Sequence, residues 1–310
     1  MLDRVAPLGF ALLWSSSFVA SKVGLEHLSP LLFVGIRMAS CAVVLLALML
    51  ALRRSWRPLG GWRWLHCGIA GALVNGLGLM APHVGLQYAP TAQIALVQSL
   101  TPLLTAALGV VLLHEHLRPW QWAGLVLGVI GVGLVVGQAA VQSPIRFEGL
   151  AIAFLGVVGL VSGTLYFGRF CRGVELLPGA LAQFTAAAVV TGIAACVLEA
   201  PRAEWVPVAF AALAWNTLAT SLGGMALYFA MLVRGSAART TANFYLVPGI
   251  VAVLAWALLD EHLGALALLG LLAASLGCWL VNVAARGIVR GAAALSDVDD
   301  TDVDDSARRG

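Results

Sequence analysis

The chain has 310 residues, of which 61% are hydrophobic and only 11% are charged, and its formal net charge is +3. Its mean hydropathy is +0.94. A soluble domain needs about a quarter of its residues charged to cover its surface, so this composition excludes a soluble enzyme or binding module. We therefore expect an integral membrane protein for which lipid is part of the solvent.

Apolar runs of about 20 residues, enough to cross roughly 30 Å of hydrocarbon as a helix, follow one another along the chain. Lipid offers the backbone no hydrogen bonds, so each run is expected to be an α-helix. A β-barrel would alternate apolar and polar residues, and stretches such as 122–136 do not. In chain order, the ten predicted spans are 5–25, 31–52, 64–86, 91–113, 119–138, 148–168, 178–198, 207–232, 239–259 and 263–284.

Basic residues in the connections fall on one side of the membrane when ten spans are threaded alternately. The opposite connections carry only Arg146 and Arg202. The positive-inside rule then predicts a multi-pass protein of the cell (inner) membrane with both termini cytoplasmic. The residues on the predicted cytoplasmic side are Arg4, Arg53, Arg54, Arg57, Arg63, Arg118, Arg169, Arg172, Arg234, Arg239, Arg286 and Arg290.

An internal repeat relates the fourth and fifth spans to the ninth and tenth at an offset of 146 residues. An apolar background supplies matching leucines by chance, but it does not supply proline, Glu-His and glycine in register. The first two spans of each half also align, through Pro30 and Pro178. The informative matches at offset 146 are Pro102 with Pro248, Glu115-His116 with Glu261-His262, Gly124 with Gly270, and Gly131 with Gly277.

The repeat divides the chain into two five-span units, 1–140 and 147–286, followed by an acidic tail over 287–310 that we expect to be disordered. Because five is odd, the second unit must be inserted upside down relative to the first. The predicted fold is therefore all-α, with ten transmembrane helices as two inverted five-helix repeats. Inverted repeats are typical of secondary transporters whose substrate site lies near the midplane between the halves.

Several short motifs resemble EamA-type members of the drug/metabolite transporter superfamily. They are the opening stretch 13–22 (Leu-Trp-Ser-Ser-Ser-Phe-Val-Ala-Ser-Lys), Ser29-Pro30 followed by Arg37, the pair 98–102 and 112–117, and their second copy at 245–248 and 258–263. The resemblance covers about residues 5–284. It implies ten helices, cytoplasmic termini and export or exchange of small metabolites such as amino acids. One departure is Ser162, which stands near the place in the second half that matches Trp14.

Polar side chains concentrate in the first, third, fourth, sixth, eighth and ninth spans, so these spans are predicted to surround an interior while the others pack outside. An alternative is that the hydroxyl groups only bond their own helices. Side-chain amides are harder to satisfy that way, which favours a cavity. The candidate substrate-binding residues are Trp14, Ser17, Asn75, His83, Gln98, Thr164, Trp215, Asn216 and Asn243.

Pro102 and Pro248 are predicted to interrupt their helices, freeing the carbonyls of Gln98 and Phe244 for a substrate amine or merely producing a kink. His83 is open to two interpretations, a proton-coupling group or a hydrogen-bonded structural histidine.

Lys22 and Arg37 lie toward the predicted outer side. We expect them to reach water or pair with Glu26 rather than bind a substrate anion.

These residues predict a secondary carrier, not an enzyme, that moves a small neutral or zwitterionic molecule by alternating access. Its predicted partners are that small-molecule substrate and the lipid bilayer, with no nucleic acid. No cofactor and no metal site are predicted, and no Gly-rich loop followed by Lys is present for ATP. The alternatives are a carrier of nucleotide sugars or other organic anions and a membrane-embedded lipid-modifying enzyme. The enzyme would need clustered Asp or His for metal and phosphate.

Overall fold

A computed structural model of the protein describes residues 2–52, 61–101, 119–142, 147–171, 173–224, 246–260 and 268–277, with positions 104, 108, 227, 264–266 and 279–280. Helices account for nearly all of these residues. Five of the described helices are long and apolar enough to cross a membrane. The prediction of an all-α membrane protein is confirmed.

The described helices coincide with or lie within the predicted spans to a few residues, and the fourth, eighth, ninth and tenth spans are described only in part. Two of the helices change to π-helical geometry: α3 runs over Gly61–Gly85 with a π-helical segment at Ala72–Leu77, and α8 runs over Pro207–Ala214 and continues as a π-helix over Trp215–Gly224. The others are α1 (Leu2–Leu25), α2 (Pro30–Ala51), α4 (Thr91–Gln98), α5 (Pro119–Gln142), α6 (Phe147–Phe170), α7 (Leu176–Leu198), α9 (Leu246–Leu259) and α10 (Leu268–Gly277).

Large apolar side chains cover the outside of the bundle. In water such a surface would be a strong aggregation site, whereas lipid solvates it without cost. The outer faces of α2, α5, α7, α9 and α10 are therefore read as the lipid-facing surface. Their most exposed members include Val43, Val129, Ile193, Val197, Leu258 and Leu272, each at least 60% exposed.

The helix contacts of the two halves mirror each other. Helix α1 packs against α8 and α9, and its counterpart α6 packs against α3 and α4. Helix α2 contacts α7 and α8, while α7 contacts α2 and α3; α4 contacts α9. When each helix is replaced by its counterpart in the other half (α1 by α6, α2 by α7, and so on), the same set of contacts results. The two halves are therefore related by an approximate two-fold axis.

Glycines on α5 and α10 show the direction of that axis. A Cβ added at Gly131 would lie 2.6 Å from the carbonyl oxygen of Gly270, and one added at Gly277 would lie 2.5 Å from that of Gly124. Gly124 and Gly270 are themselves equivalent in the repeat, so the two contacts are related by symmetry. In each contact a residue late in one helix meets a residue early in the other. The two helices are therefore antiparallel, and the repeats are inverted.

This glycine contact gives a matched pair of substitutions. We expect Gly131→Ala and Gly277→Ala each to lower the stability of the purified protein by about 1–3 kcal/mol, because the added methyl group meets backbone that cannot move aside. Gly133→Ala is the control, since nothing lies within 4 Å of a Cβ there. Thermal unfolding in detergent measures the difference. Equal midpoints for the three variants would contradict the close approach of α5 and α10.

The π-helical segments occupy corresponding places in the two halves. Asn75 lies in the segment of α3, and the position 146 residues later, Ser221, lies in the segment of α8. A π-helical turn inserts a residue into the α-helical pattern and is often found at functional sites. Both segments carry buried polar side chains toward the centre of the bundle.

Candidate functional site

A cavity of about 70 Å³ lies among α1, α2, α3, α4, α6 and α8, between the two halves. Most of its wall comes from the first half, and Leu160 and Thr220 come from the second. Its apolar wall includes Phe18, Leu79 and Leu160. The aromatic and polar side chains that line it are Trp14, Ser17, Ser21, Arg37, Asn75, His83, Gln98 and Thr220.

One side of the cavity is built by a chain of hydrogen bonds between the halves. The Ser17 hydroxyl donates to Asn216 Oδ1 at 2.6 Å, and the Asn216 amide donates to the carbonyl of Ala212 at 3.1 Å. Asn216 is completely buried. Buried polar groups of this kind cost stability unless they are paired, so the network fixes α1 against α8.

His83 is held by the same network. Its Nδ1 lies 2.6 Å from the carbonyl oxygen of Leu79, and its Nε2 lies 2.9 Å from the Ser21 hydroxyl. A carbonyl only accepts, so Nδ1 must carry the proton, and Nε2 can accept from Ser21. Both ring nitrogens are thus occupied, which favours the interpretation of His83 as a structural histidine.

Two donors in the cavity wall have no partner in the part of the chain that the structure describes. Arg37 is only 2% exposed, and its Nε donates to the Ser221 hydroxyl at 3.0 Å. Its Nη1 and the Gln98 Nε2 are both buried, and neither has a hydrogen-bond partner among the described residues. Gly156 leaves room for the Gln98 amide, since a Cβ there would lie 3.2 Å from Nε2.

The structure brings five of the predicted substrate-binding residues to this cavity: Trp14, Ser17, Asn75, His83 and Gln98. Asn216 adjoins it through Ser17. Thr164 is elsewhere, bonded to the Leu160 carbonyl of its own helix, and Trp215 is 46% exposed and donates to Ser16. Asn243 and Pro102 lie outside the described residues, and Pro248 is the third residue of the described part of α9.

Arg37 differs from its sequence-based interpretation. It neither reaches water nor pairs with Glu26 but lies buried at the cavity, seven residues into α2. At 1.5 Å per residue this is roughly 10 Å along the helix, a depth at which a charged side chain is by default a functional candidate. Lys22 does not pair with Glu26 either, since its ammonium donates to the Leu86 carbonyl at 2.7 Å.

Contacts between connections of the two halves close one end of the bundle. Leu28 and Ala203 form an antiparallel bridge, flanked by backbone bonds from Ser29 to Arg202 and from Glu204 to His27. The Glu199 carboxylate, at the end of α7, accepts from the backbone N–H groups of Leu31 and Leu32 at 3.3 and 2.8 Å. These N–H groups lie in the first turn of α2 and lack helical partners, so the second half caps a helix of the first.

Comparison with known families finds a family whose model covers nearly the whole chain. The model of the EamA-like transporter family matches twice, at residues 5–137 and 145–283. The two matches correspond to the two repeats seen in the helix contacts.

Curated relatives are similar over most of their length. The uncharacterized inner membrane transporter YedA of Escherichia coli K12 is 25% identical over 78% of each chain. The uncharacterized transporter YvbV of Bacillus subtilis is 25% identical over 89% of this chain and 90% of its own. A protein of Salmonella typhimurium described as a probable amino-acid metabolite efflux pump is 25% identical over 53% of this chain and 52% of its own.

A solved crystal structure supports the fold. Its chain is 21% identical, the two superpose with a TM-score of 0.63, and the match covers 92% of this chain and 97% of the other.

Proposed function

The chain belongs to the EamA-like transporter family and is a membrane transporter rather than an enzyme; from this premise we propose that it is a secondary carrier that exports or exchanges small metabolites by alternating access. The observation that carries the proposal is the cavity between two inverted repeats, whose wall contains Arg37, Asn75 and Gln98. In such proteins the halves rearrange about a site near the midplane, which opens to each side in turn.

The closed end of the bundle supports this mechanism. The bridge between Leu28 and Ala203 and the cap that Glu199 places on α2 both join one half to the other. Each bond is local to the connections and helix ends, so together they form a closure that can separate without unfolding a helix. We take this end as the external one, because Arg202 lies in a connection with few basic residues.

Amino acids are the substrate class that we propose. The Salmonella relative described as an amino-acid metabolite efflux pump supports this choice, although it matches only about half of the chain. The cavity of about 70 Å³ also favours a small solute, since pockets for drug-sized ligands have about 300–1,000 Å³. An organic-anion carrier is the second candidate, and the buried Arg37 favours it.

Transport by the purified protein tests the proposal. Proteoliposomes are loaded with a panel of unlabelled amino acids, organic acids, purines and sugars, and counterflow of each labelled solute is followed. We expect exchange of at least one small amino acid and none in liposomes without protein. If no member of the panel exchanges while the protein is folded and oriented in the bilayer, the proposal is wrong.

Sidedness gives a separate prediction. In a variant without native cysteines, Glu204→Cys is expected to react with an impermeant thiol reagent added to intact cells, because Glu204 lies in an exposed connection. A cysteine in place of Arg57, or in the tail, is expected to react only after lysis. Gel-shift labelling measures both, and labelling of the tail from outside would overturn the assignment of cytoplasmic termini.

A further inference from the structure

The cavity contains the positive charge of Arg37, which none of the described residues that line it neutralises. Arg37 is buried, and none of the described residues that line the cavity is an Asp or Glu. Glu26, an acidic residue near the end of α1, is exposed in the connection that follows it. An unpaired buried charge is strongly unfavourable, so such a guanidinium is expected to take an anionic partner.

The unpaired donors show where that partner would bind. Arg37 and Gln98 both line this cavity, and their Nη1 and Nε2 are the two buried side-chain atoms without a partner in the described part of the chain. Each is an N–H donor, so together they match a group with two acceptor oxygens. Lys22 is not among the described residues that line the cavity, and its ammonium donates to the Leu86 carbonyl.

The balance of charge in the cavity favours a carboxylate over a phosphate. The cavity offers one guanidinium, whose Nε is already used by Ser221, and one neutral amide. A single negative charge balances this set, whereas a phosphate dianion would leave a second charge buried without compensation. The rest of the solute would lie against Trp14 and Phe18, which give the cavity an aromatic wall.

We propose that the transported solute is recognised by its carboxylate group, which binds Arg37 Nη1 and Gln98 Nε2 in this cavity. The inference rests on the proposed carrier function and narrows its substrate class to carboxylate-bearing molecules. Arg37 has two roles: Nε joins α2 to α8 through Ser221, and Nη1 receives the solute. The solute thus binds to a side chain of the first half that is hydrogen-bonded to the second half.

The first experiment uses the wild-type protein and requires no substitution. Matched sets of three compounds are tested for leucine, phenylalanine and threonine: the amino acid, its carboxamide, and the acid without the amino group. Binding is read from the thermal stabilisation of purified protein, and transport from counterflow in proteoliposomes. We expect the carboxamides to bind about ten- to a hundredfold more weakly than the free acids, since charge-assisted hydrogen bonds are lost.

Comparison of the amino acid with the acid that lacks the amino group shows which kind of carboxylate the site accepts. Binding of the amino acids alone identifies a zwitterion as the solute, and binding of both acids identifies carboxylates in general; either outcome supports the proposal. Equal binding and transport of acids and carboxamides would overturn it while leaving the carrier function intact. Carboxylate-dependent stabilisation without any counterflow would instead support the site and count against the carrier.

Variants test the residues themselves. Arg37→Gln is expected to abolish the preference for acid over carboxamide, and Gln98→Leu to reduce it, with Arg63→Gln at an exposed position as the matched control. Arg37→Lys is expected to keep part of the preference. The preference is a ratio of two ligands on one protein, so a general loss of stability does not change it. Retention of the full ratio in Arg37→Gln would show that Arg37 is only structural.

Discussion

Transport is expected to stop when a disulfide joins positions 28 and 203 and to recover when that disulfide is reduced. Leu28 and Ala203 are opposed in an antiparallel bridge, and the flanking backbone bonds make them a non-hydrogen-bonded pair. Such pairs have Cα atoms about 4.5 Å apart, within the range of about 4.4–6.8 Å that a disulfide accepts. The double variant Leu28→Cys/Ala203→Cys would therefore lock this end of the bundle without distorting it.

Loss of transport follows from alternating access, because each end of the bundle must open once in every cycle and the disulfide keeps this end closed. We expect counterflow to fall to the level of empty liposomes after oxidation and to return to its unoxidised level with reductant. The experiment requires a background in which the native cysteines are replaced by alanine. These are Cys41, Cys67, Cys171, Cys196 and Cys278.

The two single variants are the controls for the disulfide, since they carry the same substitutions and cannot form the bond. Oxidation should leave their transport unchanged. The result does not depend on which side of the membrane this end faces. Full transport by a protein whose disulfide is complete, as judged by mass spectrometry, would show that the halves do not separate here.

The fold could be predicted from the sequence because lipid leaves the backbone few choices. An apolar run of about 20 residues must be a helix, and the observed bounds of α2 and α7 differ from the predicted spans by at most two residues. The inverted repeat followed from features that an apolar background does not produce by chance. Gly131 approaches Gly270 and Gly277 approaches Gly124, which is the reciprocal contact that the repeat requires.

The site was harder to predict because hydropathy ignores which face of a helix a side chain occupies. Arg37 is a single charge in an apolar run, and the sequence favoured a side chain that reaches water or pairs with Glu26, whereas the structure buries it. Thr164 and Trp215 also lie on spans rich in polar groups, yet they are exposed and are not among the residues that line the cavity. The π-helical segment of α8 contributes to this difficulty, since it changes the periodicity that a face assignment assumes.

Gln98 and Asn216 were grouped in one predicted site, and the structure gives them opposite environments. Asn216 is bonded to Ser17 and to the Ala212 carbonyl, while the Gln98 amide nitrogen has no partner within the described ranges. A bonded buried amide stabilises the free protein, whereas an unpaired one costs stability and gains its partner when a ligand binds. Replacement of each by leucine should therefore have different consequences.

We expect Asn216→Leu to lower the stability of the purified protein by about 1–2 kcal/mol, because it leaves the Ser17 hydroxyl unpaired between α1 and α8. Gln98→Leu is expected to leave stability unchanged or to raise it, and to weaken solute binding by up to about tenfold. Thermal unfolding without solute measures the first effect, and the solute concentration that gives half-maximal stabilisation measures the second. The two variants control each other, since both replace a buried amide at or beside the cavity with the same apolar side chain. If Gln98→Leu destabilises the protein as much as Asn216→Leu and binds solute normally, the Gln98 amide is part of the packing and not of the binding site.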